Sequence, residues 1–142
     1  MAGMDAAPAP VAHASRDGYE IKNGEVVRTV FVTVTGWAPG TGAQRFADLQ
    51  NNTIGCRFVT PHERLPWTGR DLASSWLSKH RNGVFTSYLA SQRVGDVIVS
   101  VVVDRTKPQG QEETAAKQDA IRLADEIIAK LKASDLPAAK GL

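Results

Sequence analysis

The segment Val97–Arg105 constrains the fold of this chain more than any other stretch. Valine stands at positions 97, 99, 101, 102 and 103 and isoleucine at 98, so an extended segment would carry apolar side chains on both of its faces. Strands of this composition are typically covered on both sides. We therefore predict a central strand of a sheet at Val97–Arg105, paired across the turn Val94-Gly95-Asp96 with a strand at Val84–Arg93.

A second pair of strands is predicted near the N-terminus. Tyr19–Lys22 and Glu25–Trp37 flank Asn23-Gly24, a dipeptide that tolerates the positive φ angles of a two-residue hairpin turn. The second segment has one apolar face, which predicts a strand with one buried side. That face carries the valines at positions 26, 30, 32 and 34, and the other carries Thr29, Thr33 and Thr35 with Val27 and Phe31.

Three helices are predicted from capping residues and apolar spacing. The first begins at the capping box Thr41-Gly-Ala-Gln44, runs to about Asn51 and buries Phe46 and Leu49. The second opens at 68–71 and ends before Gly83, with one apolar side formed by Leu72, Ala73, Trp76 and Leu77. The third, about Glu112–Ala133, has one apolar side formed by Ala120, Ala124, Ile127, Ile128 and Leu131.

The order of elements predicts an α+β fold, in which an antiparallel β-sheet with helices packed on it forms a single-domain sandwich. A short strand at Cys56–Val59 completes the order β-β-α-β-α-β-β-α. We expect a flexible Ala/Pro-rich N-terminal segment at 1–17, one α+β domain at 18–133, and a flexible C-terminal tail at 134–142.

Composition excludes several classes of protein. Of 142 residues, 42% are hydrophobic and 23% are charged, which is globular and not disordered composition. A net charge of +2 gives no strong signal for nucleic-acid binding, and the sequence has no run of about 20 apolar residues that would span a membrane. The lone Cys56 cannot form an intrachain disulfide. Expected partners are an unknown small molecule or a cell-envelope component, and a homo-oligomer stays open.

Residues Met1–Asp5 lack the charged and apolar regions of a secretory signal. The domain is therefore expected outside the cytoplasm if a signal sequence has been removed, and in the cytoplasm otherwise. The alternating Ala/Pro sequence at 5–14 suits a tether between an anchor and a folded domain, although a plain disordered terminus fits it equally.

No motif predicts a catalytic residue, a cofactor or a metal site. The glycine-rich stretch Gly36–Gly42 lacks the lysine of a phosphate-binding loop, so it is interpreted as a turn with capping residues. Pro66 stands where a zinc-protease signature beginning at His62 needs its second histidine. Trp37 and Trp67 both border loops, where an aromatic ring can line a pocket, and they are the candidate ligand-binding residues.

Three segments resemble the extracytoplasmic sensor domains of actinobacterial PknH-type Ser/Thr kinases and related lipoproteins. They are Ala43–Cys56, with its phenylalanine and leucine before a cysteine, Ser91–Val103, a strand after an Arg-x-Gly-Asp turn, and Asp119–Leu131, a terminal helix. The resemblance implies an α+β sandwich with a cleft for an unidentified ligand and no catalysis. Such domains usually carry cysteine pairs, and Cys56 has no second cysteine to pair with.

The first hypothesis is a non-enzymatic extracytoplasmic ligand-binding or sensor-like domain of an actinobacterial lipoprotein type. An alternative is a structural subunit of a larger assembly such as a bacteriophage tail-completion protein, because those subunits can also end in a strand followed by a helix, as in Val97–Leu131. A further alternative is a thiol-dependent enzyme using Cys56 with His62 as its base.

Overall fold

The computed structural model describes residues 9–55, 63–82, 85–105 and 111–140. The strands are β1 (Ala12–Lys22), β2 (Glu25–Gly36), β3 (Glu63–Arg64), β4 (Ser75–Asn82), β5 (Phe85–Val94) and β6 (Val97–Arg105). The helices are α1 (Gly42–Gly55) and α2 (Gln111–Ala133), and a short 3-10 helix follows at Pro137–Lys140. The strand predicted at Cys56–Val59 lies outside the described residues.

The strands form one six-stranded sheet in the order β1-β2-β6-β5-β4-β3, and every neighbouring pair is antiparallel. β6 lies between β2 and β5, which confirms the central strand predicted from its valines. With helices packed on this sheet, the α+β fold class is confirmed. The helix predicted at about Glu112–Ala133 is also confirmed, one residue longer at its start.

The first hairpin turns at Asn23-Gly24, as predicted, with φ of 53° and 78° at the two residues. β1 nevertheless begins at Ala12, so residues 12–17, expected in the flexible segment, lie in a strand. Main-chain pairing with β2 forms this strand, and the side chains of 12–17 stay exposed. An edge strand exposed on both faces has no apolar pattern by which its start could be predicted.

The helix predicted to open at 68–71 and end before Gly83 is wrong, because Ser75–Asn82 is strand β4. Trp76 and Leu77 are each 2% exposed, and they belong to core clusters on opposite faces of the sheet. Consecutive strand residues point to opposite faces. Trp76 and Leu77 are adjacent apolar residues because β4 is covered on both faces. Together with Leu72 and Ala73 they also have the spacing of one side of a helix, which is why the sequence predicts a helix here.

Helix α2 covers one face of the sheet. Its small residues Ala116, Ala120 and Ala124 are fully buried, so the helix lies close to the valines of β6. The other members of this core are partly or fully buried apolar side chains from four strands and from α2. They include Leu77, Tyr88, Ala90, Val99, Val101, Val103 and Ile128, with Val30, Val32 and Val34 packed against them.

Helix α1 lies on the opposite face and forms a smaller core. Phe46, which is 1% exposed, packs with Trp76 of β4 and Ile98 of β6. The predicted capping box does not form. Thr41 Oγ1 donates to the Ala38 carbonyl at 2.6 Å, and Gln44 Nε2 donates to Asp48 Oδ1 at 2.9 Å.

The start of α1 is capped instead by Asp96, from the turn between β5 and β6. Its carboxylate is buried and accepts from the amides of Gly40 at 3.0 Å and Gly42 at 2.8 Å. The main chain of Asp96 forms two further hydrogen bonds. Its amide donates to the Ala138 carbonyl at 2.7 Å, and its carbonyl accepts from the Trp37 amide at 2.9 Å. One residue thus joins three segments of the chain.

The tail predicted to be flexible at 134–142 packs on the domain in its described part. Pro137–Lys140 forms the 3-10 helix, and Ala139 is 5% exposed. The Ala138 carbonyl accepts the bond from the buried Asp96. The segment supplies an acceptor to a buried main-chain amide, a requirement that its own sequence does not reveal.

Candidate ligand-binding face

The face of the sheet opposite α2 is only partly covered by α1. Because directly opposed residues of antiparallel strands share a face, the register places the side chains of this face in rows that cross β1, β2, β6 and β5. We call three of these rows the polar face. They are Ser15-Thr33-Ser100-Ser91, Asp17-Phe31-Val102-Leu89 and Tyr19-Thr29-Asp104-Ser87.

The first row consists entirely of hydroxyl side chains. Ser91 Oγ and Ser100 Oγ lie 2.9 Å apart and share a hydrogen bond. Ser91 is fully buried, whereas Ser15 at the other end is exposed. The row therefore runs from the interior of the domain to its surface at β1.

The middle row is apolar across three strands and ends in a carboxylate. Phe31 is 40% exposed although it lies in the second strand of the sheet, and Asp17 stands directly opposite it on β1. An exposed aromatic ring between rows of polar side chains offers a ligand an apolar contact next to groups that can fix its orientation.

The third row adds a second carboxylate and a phenol. Thr29 Oγ1 donates to Asp104 Oδ2 at 3.2 Å, and Asp104 Oδ1 is buried without a hydrogen-bond partner in the described part of the chain. The hydroxyl of Tyr19 donates to Asp17 Oδ2 at 3.0 Å. This bond, and then the carboxylate's negative charge, raise the pKa of Tyr19 above its ordinary value.

A groove of about 210 Å³ lies where the first two rows reach β1 and β2, and it is lined by residues 15–17 and 31–33. Ser15, Asp17, Phe31 and Thr33 belong to the polar face. Arg16 alternates to the other face of β1 and borders the groove from there. The groove is large enough for a small molecule or one side chain of a partner, and it is open to solvent.

The carboxylates of the polar face differ from six others in the described residues in having no ion pair. Neither Asp17 nor Asp104 forms an ion pair within 9–55, 63–82, 85–105 and 111–140, although the whole chain carries a net charge of +2. Six other carboxylates are paired with Lys or Arg. They are Glu20, Asp48, Glu63, Asp119, Asp125 and Glu126.

The two tryptophans predicted as ligand-binding residues lie on opposite faces of the sheet, so the structure does not bring them together. Trp37 packs against the Phe46 core, and its Nε1 donates to Thr35 Oγ1 at 3.0 Å. Trp67 packs against the α2 core with the Arg70 guanidinium 4.7 Å from its ring centre. A ligand-binding role for either residue stays a prediction.

Sequence reasoning missed Asp17, Tyr19, Phe31 and Asp104 as site residues. The polar alternation of His13, Ser15, Asp17 and Tyr19 is the signal in the sequence, but the Ala/Pro-rich composition before residue 17 predicts a flexible segment there. Phe31 was placed correctly on the face opposite the valines. Only the register across four strands shows that these side chains are neighbours.

Other sites considered from the sequence give no functional arrangement in the described residues. In the stretch Gly36–Gly42, the amides of Gly40 and Gly42 are occupied by the Asp96 carboxylate, so an anion has no access to these two amides. Within the part of the chain that the structure describes, no group of three or more His, Cys, Asp or Glu side chains could hold a metal ion. Cys56 and His62 lie outside the described residues.

Neither α1 nor α2, as far as the described residues extend, is long and apolar enough to cross a membrane.

The fold and this face together define an α+β domain with one sheet face left partly open. No protein-family model matches the chain, and no curated protein matches it. Among solved structures, the extracellular domain of PknH from Mycobacterium tuberculosis is similar, with a TM-score of 0.47 and 12% sequence identity. The match covers 83% of this chain and 64% of that domain, and it fits a weak resemblance and nothing more.

Proposed function

We propose that this chain is a non-enzymatic ligand-binding domain of the sensor type, whose site is the exposed end of the polar face. The observation that carries the proposal is the exposed Phe31 ring, which lines a groove together with Asp17 and two hydroxyl side chains. A rigid sheet holds these groups, so a ligand would meet a site that is already formed.

The bonding of the hydroxyl groups supports binding rather than catalysis. A serine nucleophile needs a general base within hydrogen-bond reach, about 2.6 to 3.2 Å. Ser91 and Ser100 instead bond to each other, so this contact orders the face and supplies neither serine with a base.

An extracytoplasmic location and a lipoprotein-type attachment form the finer part of the proposal. They are supported by the sequence resemblance at Ala43–Cys56, Ser91–Val103 and Asp119–Leu131 and by the Ala/Pro-rich sequence at 5–14. The ligand is then a small molecule or a cell-envelope component. Cell fractionation of the native host with an antibody against the domain tests the location independently of the ligand.

A thermal-shift panel of amines, sugars, carboxylates and lipids tests the binding function. A ligand at 100 times its Kd adds about 2.7 kcal/mol of stability, which is a clear rise in Tm. We expect a hit that raises the Tm of the native protein and loses its effect in Phe31→Ala. Leu72→Ala is the matched control, because Leu72 is 63% exposed and lies in the loop before β4. A flat response to the whole panel would contradict the proposal.

One observation favours a structural subunit as the second candidate. β1 is an edge strand of 11 residues whose side chains are mostly exposed, and no strand among the described residues pairs with its outer side. Such an edge can pair with a second chain. Multi-angle light scattering separates the candidates, since a ring-sized species supports the subunit and a monomer supports the binding domain.

A further inference from the structure

We propose that the ligand of the polar face is a small organic cation, an ammonium group on a carbon body, seated in the groove between β1 and β2. Its charge lies at the Asp17 carboxylate and its carbon body lies on the Phe31 ring. This inference rests on the proposed binding function and specifies the chemistry of its ligand.

The first argument is charge. The three rows of the polar face contain two carboxylates and no Lys or Arg. Asp17 accepts one hydrogen bond, from Tyr19, and forms no ion pair with any described residue, whereas six other carboxylates of the described residues are paired with Lys or Arg. Arg16, the one basic residue of the groove lining, alternates to the other face of β1, so on the polar face the Asp17 carboxylate attracts a cation and repels an anion.

The second argument is the aromatic ring beside that charge. Phe31 is the register partner of Asp17, so the ring and the carboxylate are side by side on one face of the sheet. Ammonium ions are attracted to the faces of aromatic rings, and proteins use this attraction to recognise choline-like groups. Tyr19, 59% exposed and bonded to Asp17, supplies a second ring next to the same carboxylate.

The third argument is the polar lining of the groove. Ser15 and Thr33 are register partners in the row next to Asp17 and Phe31, and both line the groove. Their hydroxyl oxygens can accept hydrogen bonds from an ammonium N–H. Arg16 borders the groove from the opposite face of β1, and its charge opposes a cation, so Arg16→Gln should tighten binding.

Titration of the protein with choline, n-butylammonium, glucose and butyrate, followed by ¹H–¹⁵N NMR, tests the inference. We expect both cations to shift the amide resonances of residues 15–19 and 29–33. Asp17→Asn should weaken their binding about three- to tenfold, and Phe31→Ala should weaken it about threefold. Glu25→Gln is the matched control, because Glu25 is an exposed carboxylate at the hairpin turn, away from the groove.

Asp17 is exposed, so the Asp17→Asn variant should fold, and its Tm verifies this. Equal affinity of the cations for the native protein and Asp17→Asn would overturn the inference. Binding of glucose or butyrate at these residues without binding of either cation would overturn it too, while leaving the proposed function intact. If neither cation shifts these resonances, the inference fails, and if the ligand panel is also flat, the proposed function fails with it.

Discussion

The carboxylate of Asp96 accepts a hydrogen bond from the amide of Gly42, 54 residues earlier in the chain, at 2.8 Å. Asp96 is 4% exposed, and its second oxygen accepts from Gly40. This bond places the start of α1 on the turn between β5 and β6. It satisfies helix amides that would otherwise have no partner, and the negative charge is favourable at this end of a helix.

Replacing Asp96 by Ala is expected to destabilise the fold by about 2 kcal/mol, because two amide donors lose their acceptors in a buried place. Asp96→Asn should fall between Ala and the native protein, since one carbonyl oxygen is kept. Chemical unfolding measures both. Asp71→Ala is the control: Asp71 accepts from Ala73 at an exposed turn, and its loss should cost about 0.5 kcal/mol. An equal effect of the two alanine variants would contradict the role of Asp96.

Gly42→Ala tests the close approach of the two segments. A Cβ at Gly42 would lie 2.5 Å from Asp96 Cα and 2.6 Å from the Gly95 carbonyl oxygen, so the main chain must move. We expect a loss of about 1 to 3 kcal/mol. At Gly36 an added Cβ would meet only the Ala12 side chain at 3.5 Å, and Gly36→Ala should stay within about 0.5 kcal/mol of the native protein. Thermal unfolding of both variants checks the difference.

Acid should weaken the contact between Arg70 and Asp125. The Arg70 guanidinium donates to both oxygens of Asp125, at 2.6 and 2.7 Å, and Gln92 donates to one of them at 2.6 Å. The bond from Arg70 has the largest effect and lowers the pKa of Asp125; desolvation opposes it, and the bond from Gln92 and the charges of Arg70 and Lys132 lower the pKa further. Because the pKa of Asp125 is lower in the folded protein than in the unfolded chain, where it is about 3.9, its ionised form stabilises the fold at pH values above about 3.9. This stabilisation is lost as the pH falls through the pKa of the folded state.

The measurement is urea unfolding of the native protein and Asp125→Asn between pH 7 and pH 3. Because the Arg70–Asp125 pair is partly exposed, we expect the free energy of unfolding of the native protein to exceed that of Asp125→Asn by about 1 kcal/mol or less. This difference should be constant down to about pH 5 and should shrink at lower pH. Glu126→Gln, which removes an exposed carboxylate paired with Arg122, should show little difference at any pH. If the difference in free energy of unfolding between the native protein and Asp125→Asn grows in acid, the pKa of Asp125 is not lowered by folding.

The Tyr19 phenol reports on Asp17. Because its hydroxyl donates to that carboxylate, Asp17→Asn should lower the pKa of Tyr19 toward its ordinary value near 10. Ultraviolet titration of phenolate absorbance follows the change, and Tyr19→Phe identifies the signal against buried Tyr88. An unchanged titration in Asp17→Asn would mean that the bond does not form in solution.

Local chemistry made part of this fold predictable. The valines of Val97–Arg105 identify a central strand because side chains on both faces of a strand need cover, and Asn23-Gly24 identifies a hairpin because both residues accept positive φ. The predicted helix over Trp76 and Leu77 fails because their spacing fits a helix side as well as two faces of a strand. The cap from Asp96 is a contact between distant segments, and no local pattern contains it.

The candidate site was less predictable than the fold for the same reason. Asp17 and Phe31 become neighbours only through the register of β1 on β2, and Asp104 joins them only through the register of β6. A single sequence shows polar alternation within each strand, but it does not show which residues of neighbouring strands are paired. Trp37 and Trp67 were chosen because they border loops, and a loop position does not determine which face of the sheet a ring will reach.

The strand order also determines how the chain must assemble. β4, β5 and β6 are consecutive, with α2 after them, so their contacts can form within one local stretch of chain. The β1–β2 hairpin can close just as locally, but it joins the sheet only when Gly36 meets Val97 and Arg28 meets Arg105. Closing that long loop costs entropy before its contacts repay the loss, and such pairings slow folding. We expect the groove to form with the β1–β2 hairpin, and the rows that continue from β2 onto β6 to be the last part of the polar face to form.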